Sequence, residues 1–409
     1  MKVVKFGGTS LANAENILKA KSIVEADPIR SFVVVSAPGK GKDFSRKVTD
    51  LLIDAHAQLC FSDTCDSCDT VFGRFEKLSS DLGVDISAEL ERAREEIYIN
   101  KCDYDFVVSR GEYLMAVLFA KLLDWRFLDA AQFIVIKESG LVDLEATKAN
   151  FSKLPHGKYV MGGFYGRAAD ARFSSIARGS YGVDAQYGRV ARGSYGAKAT
   201  HKRSEYGAKT KRDSAQYRHE KGGVRVFARG GSDYSGAIAA VCLNASVYEN
   251  FTDTHGVQSA NPATVKNTAT VTEIDYSTLY KLCRGGASVI YPNCIPLLRR
   301  AAMPLKVACT FDPAGKSTLV TSQKPLKPFF SITYETKQNI NKDTVEILCV
   351  THKIDFPLSM LRAVLKGIEV YLVEFSKCDF RLITPASNLV EVINLLHKAF
   401  TDSKSTLLV

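Results

Sequence analysis

The stretch FVVV, Phe32 to Val35, is apolar at every position, and a strand with no polar side must be covered on both faces. Val3, Val4 and Phe6 near the start of the chain, and KYVMGGFYG further on, read as strands of the same kind. Segments with apolar residues near helical spacing lie between them: Ile17, Ala20, Ile23 and Val24 behind a candidate cap, Asn13; Val48, Leu51, Leu52 and Ala55 in RKVTDLLIDAHAQL; and ISAELERAREEIYI. DYDFVVSRGEYLMAVLFAKLL reads as a short strand running into a helix, and RFLDAAQFIVI as further strands. The alternation predicts an α/β fold, a mainly parallel open sheet covered by helices on both faces. Ligands on such sheets sit beyond the carboxyl ends of the strands.

The chain has 409 residues, 46% of them apolar, enough for a large core and two domains. No window approaches the roughly 18 apolar residues of a membrane span, and no long apolar run follows the basic N-terminal residue. The expectation is a soluble cytoplasmic protein with no membrane partner. Ten cysteines are scattered, several in apolar stretches such as AAVCLNA and EILCV, which suits reduced thiols. CFSDTCDSCDT holds Cys60, Cys65 and Cys68, but no second pair completes a four-ligand site. It reads as a solvated helical turn, and no metal-binding residues are expected.

The net charge of +10 is local: between Arg167 and Arg229 there are 15 Lys or Arg and 5 Asp or Glu. ARGSYG and YGAK each occur twice there, and apolar periodicity is missing. Such a tract buries too little surface to offset its ordering entropy, so a solvated low-complexity insertion at about 167–222 is expected. Arg, Gly and Tyr so interleaved could stack on single-stranded nucleic acid, but nucleic acid is the less expected partner.

Two glycine pairs carry the chemistry. Lys5-Phe6-Gly7-Gly8-Thr9-Ser10 joins the first strand to the first helix, where amide N–H groups and a helix dipole favour an anion. It is not a Walker A loop, because Lys5 precedes the turn, and a plain tight turn is the bland alternative. Gly230 and Gly231 precede an apolar helix from Tyr234 onward that Ser232 or Asp233 could cap. Ser36–Lys42, Ser109–Glu112, Arg229–Asp233 and Thr252–Asp253 each follow an expected strand and could face the same crevice. No histidine stands beside a nucleophilic Ser or Cys in that set, which is unlike an acyl-transfer site.

KFGGTSLANAENI, VVVSAPGK, KVTDLL, SRGEYL, GGFYG, ARGGSDYSGAIAA, YENFTDTHGVQSANP and GASVIYP occur in this order over roughly 1–320. In them the chain resembles the aspartate kinases, enzymes of the amino-acid kinase fold. The resemblance implies phosphoryl transfer from ATP with Mg2+ to the side-chain carboxylate of L-aspartate, the first step toward lysine, threonine and methionine. It implies Lys5 as the γ-phosphate cation, Gly7, Gly8, Thr9 and Ser10 as the phosphate cradle, and Asp233 as a second catalytic residue. Ser36, Thr252 and Asp253 would complete the ATP site, and Thr49, Glu112, Arg229, Gly230, Gly231 and Ser232 would bind the acceptor. Glu112 would take the ammonium and Arg229 the α-carboxylate, to which a guanidinium fork is suited. Other amino-acid kinase fold enzymes, acting on glutamate or N-acetylglutamate, are the alternative, as is a weakened relative that binds nucleic acid or protein through the insertion.

The chain departs from many relatives at Ala228, where they often carry serine, and at Ala263 and Ser288, where an arginine and a lysine are common. The last two changes remove cations expected near ATP, and Lys40 and Lys42 are the residues that could compensate. After the linker SQKPLKPFF, residues 328–409 read as strand, helix, strand, strand, helix, with STLLV as a possible last strand. This resembles an ACT-like, ferredoxin-like α+β domain that would bind a regulatory amino acid or assemble a homodimer.

Overall fold

The computed structural model describes residues 1–62, 64–169, 223–228, 230–339 and 342–406. Most of the basic insertion, and Arg229 with it, therefore lies outside the described residues. The strands are β1 (Lys2–Phe6), β2 (Arg30–Val35), β3 (Arg126–Leu128), β4 (Val135–Ile136), β5 (Tyr159–Gly162), β6 (Tyr165–Ala168), β7 (Val224–Val226), β8 (Tyr248–Thr252), β9 (Glu273–Asp275), β10 (Leu305–Cys309) and β11 (Thr318–Thr321), followed by β12 (Phe329–Asn339), β13 (Lys342–His352), β14 (Tyr371–Phe375) and β15 (Asp379–Pro385). The helices are α1 (Ala14–Glu25), α2 (Val48–Leu59), α3 (Asp66–Leu82), α4 (Ser87–Ile99), α5 (Tyr104–Leu123), α6 (Ala130–Phe133), α7 (Leu144–Phe151), α8 (Gly231–Cys242), α9 (Tyr276–Arg284), α10 (Cys294–Arg300), α11 (Leu358–Val364) and α12 (Leu389–Thr406).

The main sheet runs β3-β5-β2-β1-β8-β10-β11-β9. Every neighbouring pair is parallel except β10 with β11. Successive side chains of a strand point to opposite faces, and β1 shows what covers each. Phe6 meets Phe119 of α5, with ring centroids 6.1 Å apart, while Lys5 reaches Asp233 of α8. A mainly parallel open sheet with helices on both faces is thus the observed fold.

Register fixes where the strands stop. Phe6 lies opposite Val35 and Phe251, Val35 opposite Gly162, and Thr252 opposite Cys309. Gly7, Ser36, Gly163, Asp253 and Thr310 therefore leave the sheet side by side along one edge, which is where the crevice of such a fold lies.

Local choices follow the chemistry of the ends. Asn13 caps α1 by accepting the Asn16 amide at 2.9 Å, and Asp103 caps α5 by accepting that of Phe106 at 3.1 Å. The expected strand before SRGE is absent, because that capped helix absorbs DFVVS whole. Ser109–Glu112 consequently sit inside α5, not beyond a strand. Likewise α8 begins at Gly231 behind Gly230, so Ser232 and Asp233 stand in its first turn, and neither is its cap. Cys65 and Cys68 are buried, and the Cys65 thiol accepts the Cys68 amide at the start of α3, so this turn is not solvated.

The C-terminal sheet runs β12-β13-β15-β14, all antiparallel, with α11 and α12 packed against it. An antiparallel sheet with two helices fits the ACT-like expectation. The strand β12 takes in Phe329 and Phe330 of the expected linker and continues through SITYETKQN, and Ser405 and Thr406 of STLLV prolong α12. The two cores interlock: Ala260 and Val265, from the segment after β8, are buried among the C-terminal residues.

Candidate active site

Lys5 is 6% exposed, and its ammonium lies 2.6 Å from Asp233 Oδ1. Asn250, in register beside Lys5 on β8, donates to the same oxygen at 3.3 Å, and the Tyr291 amide donates to Asp233 Oδ2 at 2.9 Å. Asp233 is thus fixed from three directions and holds Lys5 at the mouth of the glycine turn. A Cβ placed on Gly7 would stand 3.3 Å from Lys5 Nζ, so the bare backbone and the ammonium face the same space. Asn250 and Tyr291 were absent from the sequence reading. An asparagine amid the apolar residues of β8 was the signal for the first; a backbone amide leaves no signal.

The turn itself depends on two backbones touching. The Gly39 amide donates to Gly8 O at 2.8 Å. A Cβ on Gly39 would lie 2.5 Å from Gly8 C, and one on Gly8 would lie 2.9 Å from Ala37 O. Neither position has room for a side chain, which is why glycines stand there. Thr9 and Ser10 then enter a 3-10 turn, Thr9–Leu11. The Thr9 side chain is exposed, but the Ser10 hydroxyl is buried against that of Thr310 at 2.6 Å and so braces the turn against β10.

Glu112 lies on α5 behind this loop and is 4% exposed. The Ala37 amide reaches its carboxylate, and Oε2 has no hydrogen-bond partner. Burial pushes its pKa up to about 8, against which the Ala37 amide pulls down. A buried carboxyl with an unfilled oxygen suits a cationic ligand group. Gly162 and Gly163 close the other side: a Cβ on the first would meet Glu112 O at 3.0 Å, and one on the second Ser232 Cβ at 2.7 Å. Gly230 adopts φ 90° and sits under the Tyr291 ring, while Gly231 packs on Phe227.

Lys5, Gly7, Gly8, Ser36, Glu112, Ser232 and Asp233 are thereby linked through one set of strand ends. Thr49 stands in the first turn of α2, one residue after Val48, whose amide donates to Pro38 O. Thr252 and Asp253 follow β8, where the Thr252 hydroxyl donates to Asp253 Oδ1 at 3.1 Å. Ala263 and Ser288 are exposed. Among the described residues, no group of three or more His, Cys, Asp or Glu could hold a metal.

This fold is that of solved aspartate kinases. It superposes on the enzyme of Clostridium acetobutylicum with a TM-score of 0.75 at 21% identity, covering 98% of this chain and 100% of that one. Escherichia coli aspartokinase III, solved in complex with aspartate and ADP, gives 0.72 at 17% identity over 98% of this chain and 100% of its own. In sequence the chain is 29% identical over 343 residues to aspartokinase 3 of Bacillus subtilis, covering 79% of this chain and 64% of that protein's length. Residues 215–309 match the amino acid kinase family.

Between pH 4.5 and about 8 the folded chain holds a Glu112 proton that the unfolded chain gives up, so stability falls as pH rises through that window. Glu112→Gln removes this dependence. Its melting temperature relative to wild type is expected to climb by several degrees from pH 5 to pH 9 in a thermal-shift series. A difference that stays flat with pH would show that the carboxyl is not held protonated.

Proposed function

We propose that this protein is an aspartate kinase, transferring the γ-phosphoryl group of Mg-ATP to the side-chain carboxylate of L-aspartate to give 4-phospho-L-aspartate and ADP. The observation that carries the reading is the Lys5 ammonium, pinned by Asp233 beside the bare backbone of Gly7. A carboxylate nucleophile is already ionised near neutral pH, so no general base is required. What the reaction needs is a cation at the γ-phosphate and two anions brought into line.

In this reading Lys5 neutralises charge on the transferred phosphoryl group, and Asp233, oriented by Asn250 and the Tyr291 amide, keeps the lysine aimed. Gly7, Gly8 and Thr9 cradle the phosphates, and Ser10 supports them from behind. Ser36, Thr252 and Asp253 border the nucleotide, and Mg2+ arrives with ATP. Glu112 takes the α-ammonium of the acceptor, near Thr49, Ser232 and the Gly230–Gly231 turn, and Arg229 is assigned the α-carboxylate. Glutamate and N-acetylglutamate are the competing acceptors. An acylated amine would bring no positive charge to the partnerless Oε2 of Glu112, and this favours a free amino acid.

The catalytic unit is assigned to 1–320 and the assembly or regulatory unit to 328–409, with a regulatory amino acid as the ligand class of the latter. The edge strand β14 exposes all five residues, Val373 at 56% and Tyr371 at 59%, and on its outer side no described strand pairs with it. A second copy of the chain is the proposed occupant, giving a homodimer. Among the described residues the cysteines form no disulfide, which suits a reducing cytoplasm.

Purified protein given Mg-ATP, hydroxylamine and L-aspartate is expected to form aspartyl hydroxamate, with far less product from L-glutamate. Lys5→Met should lower kcat at least ~100-fold, the scale of losing one preorganised charge. Equal rates with glutamate, or an active Lys5→Met variant, would contradict the reading. Sedimentation velocity is expected to show a dimer that Val373→Asp converts to monomer; a wild-type monomer would refute the assembly.

A further inference from the structure

Arg74, on α3, has no part in the site described so far. It is 1% exposed, yet among the described residues no carboxylate forms an ion pair with it. Its guanidinium instead donates to three backbone carbonyls: Nη2 to Ala12 O at 2.9 Å and to Gly39 O at 2.5 Å, and Nη1 to Arg46 O at 3.1 Å. The Phe44 ring lies 4.3 Å away and closes over it. A buried cation costs several kcal/mol of desolvation, which carbonyl dipoles offset only in part. Burial accordingly pulls its pKa down to about 10.

The three carbonyls belong to distinct pieces of the nucleotide side of the cleft. Ala12 ends the 3-10 turn that follows the glycine pair, Gly39 is the residue pressed against Gly8, and Arg46 ends the loop that carries Lys40 and Lys42. One side chain therefore spans the Gly8–Gly39 contact from both sides. Apolar filling could occupy the same volume but could not satisfy those carbonyls, and a lysine has a single head group for three diverging acceptors.

We infer that Arg74 is a positioning residue for the nucleotide, a strap that locks the loop 39–46 onto the glycine turn and thereby sets how tightly the phosphates of ATP are held. The inference rests on the kinase reading for its consequence, but the strap itself can be tested without it. Lys40, Lys42 and Arg46 are exposed, so trypsin reads whether the loop is pinned.

Arg74→Lys and Arg74→Met are compared with wild type after circular dichroism confirms that each is folded. In the absence of nucleotide, the rate of tryptic cleavage within 40–46 is expected to rise about tenfold in Arg74→Met and less in Arg74→Lys. Millimolar methylguanidinium should slow it again in the methionine variant. In the hydroxamate assay, KM for Mg-ATP should rise about tenfold, with KM for L-aspartate changed less than twofold. Unchanged cleavage in both variants, or equal rises in the two KM values, overturns the strap. If Arg74→Met fails to fold, Arg74→Lys alone decides by the same two readouts. A wild-type protein that phosphorylates no acceptor would refute the kinase reading, and the cleavage rates would still decide the strap.

Discussion

The ion pair between Lys5 and Asp233 is the contact on which the rest of the site depends. It crosses from β1 to α8, so it forms only when strand order, register and the entry of that helix are all correct. A lone buried ammonium is costly, and so is a lone carboxylate; paired, they become a preorganised charge of the kind the proposed phosphoryl transfer needs. The neighbouring groups are arranged to keep it so. Asn250 approaches along the strand and the Tyr291 amide approaches from the segment before α10.

The glycine turn supplies the complementary half. Gly8 and Gly39 touch backbone to backbone, which brings the loop after β2 onto the first turn and places Ala37 where its amide reaches Glu112. The glycine turn and the surroundings of Glu112 are therefore mechanically one object. The segment after β8 extends this to the C-terminal sheet: Ser259 hydrogen-bonds His397 of α12 at 2.8 Å, and the Ile332 amide of β12 donates to Ser259 O. The strands that end at the glycine turn and the C-terminal core share a continuous set of contacts.

Much of this was legible in the sequence where local chemistry dictates the outcome. FVVV, Asn13 and the glycine pair each announce themselves, because a two-faced apolar strand, a capping side chain and a side-chain-free turn have few alternatives. The misreadings have physical causes too. DFVVS looks like a strand because β-branched residues suit either structure, and only the Asp103 cap and the packing of α5 decide it. The contact of the Ser10 hydroxyl with Thr310 joins residues 300 apart, and residue type alone does not announce it. Arg74 was invisible for the opposite reason: its partners are carbonyls, which every residue has. Arg229 and most of the basic insertion lie outside the described residues.

The account stands on Lys5 meeting the terminal phosphate of a bound nucleotide. An acyl-phosphate derivative of ATP, which transfers its acyl group to a lysine amine lying against the phosphates, tests this directly when the labelled peptides are identified by mass spectrometry. Acylation at Lys5 that excess Mg-ATP suppresses is the predicted result. Labelling confined to other lysines, or labelling of Lys5 that ATP leaves unchanged, would contradict it.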